Sequence, residues 1–560
     1  MGEPIVTEHH KVLLTTVFRP FGIVDELNEK FSQVEFFHVR STCRQGLLSI
    51  RGFHPFQGLH IIAANLRAKT VVLQYPSFEE FSQELKNNYD YVGIGFTTIS
   101  FEKVKKMCAY IRENYPKTKI ILGGFGTTTP GVEELGHYVI VGPGVTEMKK
   151  LLGEPLEDQF KYPLIKYHQL LFDFKLPLSS AYMVATHLGC PYKCDFCPNP
   201  NFYKDGVDYL SADQLFHFIK ELSKHDRHPN LAIYDDDLLA DTDKIKRLHH
   251  LITTELPDLD LTILCFGDAG SLAKYDPIML LEAGIVAIWT GIEFRFADYE
   301  KLNGVNLQQA FKNIRDAGLY TVNSVVIGSD IHTTKEKIFE DLDYLCTFEP
   351  TFSQIAIISP MPNTELYQAL KKDNRLLNVP WKQYNFSKLV FKHPTIGKEE
   401  MERIREECFE REFEALGYFA VRMARITLNR YNTFKKISSP VAGTRAKSSL
   451  TLLQKFLALF PTAIALAPNK KVKEETIELQ KEITATLKKD GSTYKRELII
   501  GKALLAFAFA LKFKYKMFGH KVEQPKLTRT EYPNEKCVPI PTDLNHPYSS
   551  PYKGEEGWGR

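Results

Sequence analysis

Three cysteines, Cys190, Cys194 and Cys197, stand at Cys-x3-Cys-x2-Cys spacing in the run His187-Leu188-Gly189-Cys190-Pro191-Tyr192-Lys193-Cys194-Asp195-Phe196-Cys197. On so short a loop the thiolates converge on one inorganic centre. Thiolate is a soft ligand that selects zinc or iron–sulfur clusters. A structural zinc site takes four protein ligands, and no partnering pair of cysteines follows here. A four-iron cluster held by three cysteines keeps one iron open for a substrate or cofactor, so the missing fourth ligand is informative.

The chain has 560 residues, too many for one core. It is 44% hydrophobic and 25% charged, as ordinary globular proteins are. A net charge of +3 does not argue for a nucleic-acid partner. Cys43, Cys108, Cys265, Cys346, Cys408 and Cys537 are scattered, which suits a reducing cytosol better than a disulfide framework. The polar start from Met1 to Lys11 is not a secretory signal. No apolar run reaches the roughly 18 residues of a spanning helix, so the expected location is cytoplasmic.

Residues 1–155 alternate short apolar runs with helical patterns and read as parallel α/β. The strands expected are Val12–Val17, Thr70–Gln74, Tyr91–Gly95, Lys119–Leu122 and Tyr138–Val141, with helices at Gly58–Arg67 and Phe101–Asn114. Three strands end in small or hydroxyl-rich loops: Gly93-Ile94-Gly95-Phe96-Thr97-Thr98, Gly123-Gly124-Phe125-Gly126-Thr127-Thr128 and Gly142-Pro143-Gly144. Ligands of open parallel sheets bind at the carboxyl ends of strands, where glycine lets backbone approach closely. His54 and His60 would be candidate metal ligands there, but a lone histidine beside an apolar helix start is more often packed or solvated.

Residues 156–180 lose periodicity and read as a linker. Six strand-like runs follow, each trailed by helical sequence: Ala181–Thr186, Leu231–Tyr234, Leu261–Phe266, Ile285–Thr290, Thr321–Ile327 and Gln354–Ser359. Six such units over 181–395 make a partial (β/α)6 barrel of the TIM type, whose site lies at the strand ends. The cysteine loop follows the first strand. The second runs into Asp235-Asp236-Asp237; three acids in a row are usually a solvated turn or cap, but after a buried strand at least one faces the barrel mouth. Residues 396–521 read as mainly helical and 522–560 as an extended tail. Within 498–518, nine consecutive apolar residues precede Lys512, Lys514 and Lys516. That reads as buried helix packing, with an interfacial helix on a membrane as the second reading.

With Gly189-Cys190-Pro191 ahead and Phe196 before the last cysteine, the spacing resembles the signature of the radical S-adenosyl-L-methionine (SAM) enzymes. The resemblance implies a [4Fe-4S] cluster on Cys190, Cys194 and Cys197 whose open iron chelates the amino and carboxylate groups of SAM. One electron then splits SAM into methionine and a 5′-deoxyadenosyl radical. It also implies SAM contacts from Phe196, from Asp235 or Asp236 ahead of Asp237, from Glu293 in Gly291-Ile292-Glu293, and from Gly328 at the fifth strand's end. Pro360-Met361-Pro362-Asn363-Thr364 stands close to the family's Pro-x-Pro-Gly-Thr, with Asn363 in place of Gly.

The N-terminal order of glycine loops resembles the cobalamin-binding domain that precedes the radical SAM barrel in a large subclass. That implies a Rossmann-like fold with cobalamin held by Thr97, Thr98, Gly123, Gly124, Gly142 and Gly144. Two departures stand out. There is no Asp-x-His-x-x-Gly motif to supply a lower axial histidine, and the last loop reads Gly142-Pro143-Gly144-Val145 where the subclass has Gly-Glu-Gly-Glu. The activity implied is cobalamin-dependent radical SAM methylation of an unactivated carbon. Ring formation or rearrangement by a radical SAM enzyme, with or without cobalamin, is the alternative, and a non-catalytic metal-binding scaffold is a third. The partners implied are a small-molecule or lipid-like substrate and an external electron donor of the flavodoxin or ferredoxin type, with no nucleic acid. If residues 498–518 touch lipid, the protein is peripheral to the inner membrane.

Overall fold

The computed structural model describes residues 10–20, 41–171, 176–204, 206–292, 304–518 and 524–542. In the first part, strands β1 (Lys11–Thr16), β3 (Lys69–Gln74), β4 (Tyr91–Gly95), β5 (Lys119–Gly123) and β6 (Tyr138–Ile140) form a parallel sheet, while β2 (Ile50–Gly52) leaves for another sheet. Helices α1 (Gln57–Ala64), α2 (Phe78–Leu85), α3 (Phe101–Asn114) and α4 (Gly144–Leu152) alternate with these strands. Val12, Leu13, Val72, Val92 and Ile120 are fully buried. That is why the strands read as continuous apolar runs, as strands covered on both faces do.

The second sheet has eight strands in the order β16-β15-β14-β13-β12-β9-β8-β2. Strands β9 (Leu176–Val184), β12 (Asn230–Ile233), β13 (Thr262–Phe266), β14 (Ile285–Gly291), β15 (Tyr320–Ile327) and β16 (Phe352–Ile357) run parallel and are the six strands expected. Between them lie α6 (Ala212–Ser223), α7 (Thr242–Glu255), α8 (Ala269–Leu272), α9 (Pro277–Glu282), α10 (Leu307–Ala317) and α11 (Lys335–Thr347), with α12 (Glu365–Lys372) after β16. The short pieces β10 (His187–Leu188), α5 (Asn199–Phe202) and β11 (Val207–Asp208) frame the cysteine loop.

Two stretches differ from the sequence reading. The expected linker holds β7 (Lys161–Pro163) and β8 (Lys166–Leu171), and β8 pairs antiparallel with β9 and with β2. The expected tail returns as β17 (Thr528–Tyr532), antiparallel on β3, and β18 (Cys537–Pro539), antiparallel on β7. Both additions satisfy backbone groups that an open sheet edge would leave unpaired.

The remaining helices are α13 (Lys398–Leu416), α14 (Phe419–Phe434), α15 (Ala442–Leu457), α16 (Phe460–Ala465), α17 (Lys470–Lys489) and α18 (Lys495–Phe518). Among the described residues no helix is long and apolar enough to cross a membrane.

Candidate cluster site and cofactor edge

The cysteine loop begins where β10 stops and ends where α5 starts. Gly189, at φ +119°, makes the first bend in a backbone conformation that L side chains rarely adopt, and a Cβ there would press on Gly206 Cα at 3.1 Å. A turn closes the second half, with Cys197 N–H donating to Cys194 O at 3.0 Å. All three cysteines are half-buried and none is in a disulfide. Burial pushes the Cys190 thiol up to about 12, and Asp237, Asp236 and Cys197 push the same way. A bound metal opposes that, since coordination to a cation deprotonates a thiol outright.

Three strand ends grip this loop. From β12, Asp236 accepts from Gly189 N–H at 2.8 Å and from the Asn199 side chain. From the β13 side, Asp268 and Ser271 hydrogen-bond Tyr192. From the turn after β16, Leu366 N–H donates to Asp195 O at 3.0 Å, and Asn363 Nδ2 donates to Pro198 O at 2.8 Å. Asn201 Nδ2 returns a bond to Asn363 O at 2.8 Å. Asn363 therefore does more than replace a turn glycine: its backbone is not left-handed, and its side chain ties the far edge of the barrel to the cysteines.

The acids divide their work. Asp235 is buried and accepts from Thr186 N–H at 2.6 Å and from the Thr186 hydroxyl, which fastens β12 to the end of β9. Burial raises its carboxyl while Lys244, bonded to Thr186 Oγ1 at 3.1 Å, pulls the other way. Its oxygens thus serve the scaffold, where a SAM contact was expected. Asp236, half-buried beside the loop, is the better placed of the two. Asp237 is buried against Asp268 and held well above the usual carboxylate range, while Asp268 is held below it as the cap of α8.

Phe196 is half-buried and packs on the barrel core. Gly328, at φ +83°, ends β15; its N–H donates to His332 Nδ1 at 3.2 Å, and His332 Nε2 is 2.7 Å from the buried Asp341. Glu293, expected at the end of β14, lies outside the described residues. Asn199, Thr186 and Tyr192 were not foreseen as part of the site, and Asn363 was foreseen only as a turn residue. The only signal was their place within a few residues of the cysteines or the strand ends.

A cavity of about 260 Å³ faces the same loop from the N-terminal sheet. Its wall includes Thr97, Gly123, Gly124, Gly142 and Gly144 on one side and Leu188, Phe202 and Tyr203 on the other. Thr98 is buried beneath and is not part of the wall. At Gly124, φ is +85° and a Cβ would stand 2.7 Å from Phe96 O; at Gly144 it would stand 2.5 Å from Ile62 Cδ1. The buried Thr97 hydroxyl has no hydrogen-bond partner, which suits an acceptor on a bound group. Phe125 stacks on Phe202 at 4.3 Å and meets Tyr203 edge-on at 5.8 Å, filling part of the space. Drug-sized ligands take roughly 300–1,000 Å³. A corrin, larger still, fits the wall's chemistry but needs this aromatic plug to part.

Neither histidine faces the cavity as a free ligand. His54 sits between Tyr167, stacked at 4.6 Å, and the Tyr234 hydroxyl, 2.8 Å from its Nδ1. His60 lies between Gln74 at 2.6 Å and the Tyr532 hydroxyl at 2.9 Å.

No protein-family model matches the chain. It is 25% identical over 347 residues to the bacteriochlorophyllide d C-8(2)-methyltransferase of Chlorobaculum tepidum, covering 54% of this chain and 73% of that one. It is 21% identical over 202 residues to the hopanoid C-2 methylase of Rhodopseudomonas palustris, covering 34% and 38%. The chain is thus similar to two named methylating enzymes over a third to a half of its length. The solved radical SAM methyltransferase TsrM of Kitasatospora setae, bound to cobalamin and a [4Fe-4S] cluster, aligns over 80% of this enzyme and 99% of its own chain. The TM-score is 0.44 at 11% identity, too loose for one to be read onto the other.

Proposed function

We propose that the protein is a cobalamin-dependent radical SAM C-methyltransferase acting on a small molecule. The observation that carries this is the facing arrangement: a three-cysteine loop clamped at the barrel mouth, opposite a glycine-lined cavity with an unsatisfied threonine hydroxyl. Cys190, Cys194 and Cys197 hold the cluster, which with SAM and cobalamin supplies radical generation and methyl donation when bound. Asp236 and Asn363 fix the loop so that the open corner keeps one orientation. Phe196 and Gly328 border the SAM position. Thr97, Gly123, Gly124, Gly142 and Gly144 would form the cobalamin cradle once the Phe125–Phe202 stack beside them has parted. Reducing equivalents come from an external flavodoxin- or ferredoxin-type donor.

The second reading of residues 498–518 has its own support. Ile499, Ile500, Phe507, Phe509, Phe513, Met517 and Phe518 of α18 are all exposed, on a helix with six basic residues and one acid. Apolar rings edged by lysines suit an anionic lipid surface. Flotation with vesicles containing phosphatidylglycerol, and none with phosphatidylcholine alone, is the expected result.

The test of the activity is anaerobic reconstitution with iron, sulfide and cobalamin, followed by SAM carrying a CD3 methyl group. Wild type forms 5′-deoxyadenosine, and a product of added mass 17 appears when the substrate is supplied. Cys194→Ala forms neither. Deoxyadenosine with an unmethylated, cyclised or rearranged product would replace methylation by the alternative chemistry.

A further inference from the structure

At the opposite end of the barrel from the cysteines lies a second cavity, of about 1020 Å³. It opens at the starts of the parallel strands, where Asn230, Thr262, Tyr320 and Phe352 stand, and α14 and α15 close over it. Its size matches the upper end of ligand sites. The walls are mainly apolar, with Leu178, Leu264, Val286, Val322 and Phe352 from the sheet and Phe456 from α15.

The polar groups are arranged unequally. Arg430 of α14 lines the cavity while only 6% exposed; its Nε donates to Gly318 O at 2.8 Å, and its guanidinium lies 4.4 Å over the Tyr320 ring. Its Nη2 has no hydrogen-bond partner. A buried guanidinium N–H left unpaired is costly, and an anion satisfies it best. At the rim, Glu255 pairs with Lys220 at 3.1 Å, while Asp260 lies 2.9 Å from the His228 ring, 3.9 Å from the buried Arg445, and within the field of Arg430. That leaves Asp258 against three further cations, Arg227, Lys447 and Lys455. The α15 helix that supplies Lys447, Lys455 and Phe456 also packs against α18, the helix with the exposed phenylalanines.

We infer that this cavity is a binding site for a single-chain amphiphile, its apolar body against the barrel strands and its anionic head among Arg430, Lys447 and Lys455. The site is separate from the radical chemistry, because the cysteine loop lies at the other end of the same strands. Binding and chemistry can therefore fail independently.

The test is displacement of cis-parinaric acid from the anaerobically reconstituted full-length enzyme by dodecanoate, dodecyl phosphate and dodecanol. The two anionic probes should compete about tenfold better than the alcohol. Ser448→Trp, on the cavity side of α15, should weaken all three. Lys447→Glu with Lys455→Glu should weaken the anions about tenfold and leave dodecanol unchanged. Iron content and SAM cleavage stay at wild-type levels in both variants. Preference for dodecyl phosphate over dodecanoate would assign a phosphate head, and the reverse a carboxylate. No displacement by any probe, or displacement unaffected by Ser448→Trp, overturns the site. Equal competition by dodecanol overturns the anionic head.

Discussion

Asp236 holds both flanks of the cysteine loop, accepting from Gly189 before it and Asn199 after it. Asp236→Asn keeps the shape but turns one of the two accepting oxygens into an NH2, so one bond is lost and the other loses its charge. Its expected result is a folded protein retaining less than half the wild-type iron after gel filtration, read by iron assay and the 400 nm band. The buried histidines predict a pH effect. Burial lowers His54 and His60 to about 4, so both are neutral in the folded protein while the unfolded chain protonates near 6.5. The unfolded state therefore binds more protons between those values, and stability falls as pH drops through that window. The limit is about 3 kcal/mol for each histidine. Urea midpoints at pH 7.5 and 5 should show a steep acid loss in wild type and a shallower one in His60→Gln. At this scale the cysteines were legible from spacing alone. The acid trio was legible as a group, but the division among Asp235, Asp236 and Asp237 depends on which backbone each meets, which spacing does not encode.

Parallel strands buried on both faces announced themselves as apolar runs, so all six barrel strands and the five N-terminal strands were readable within a few residues. β8 and β17 were not. Lys166-Tyr167-His168-Gln169, between β9 and β2, and Thr528-Arg529-Thr530-Glu531, on the edge beside β3, carry polar side chains, and only their antiparallel partners make them strands. β17 completes the sheet edge at β3 and brings Arg529 to Glu84 at 2.9 Å and Tyr532 to His60. Ending the chain at residue 527 should lower the melting temperature by several degrees and raise light scattering, because β3 becomes an open edge. An unchanged melting curve would mean that the strand adds nothing.

Across the molecule, two sheets present their carboxyl ends to each other with the cysteine loop between them, and the Phe125–Phe202 stack spans the gap. Each half was foreseeable from its own motif; the plug was not, because it joins residues whose separation in sequence gives no local pattern. Phe202→Ala should open the gap and raise the cobalamin retained after gel filtration severalfold, at a stability loss of roughly 3–5 kcal/mol. Unchanged cobalamin retention would mean the stack does not limit access.

The most direct measurement is the electron paramagnetic resonance spectrum of the dithionite-reduced, anaerobically reconstituted enzyme before and after adding SAM. A [4Fe-4S]⁺ signal whose g values shift with SAM, absent in Cys194→Ala, is the predicted result. A fully loaded cluster whose spectrum ignores SAM, or a protein holding one zinc and no iron, would contradict it.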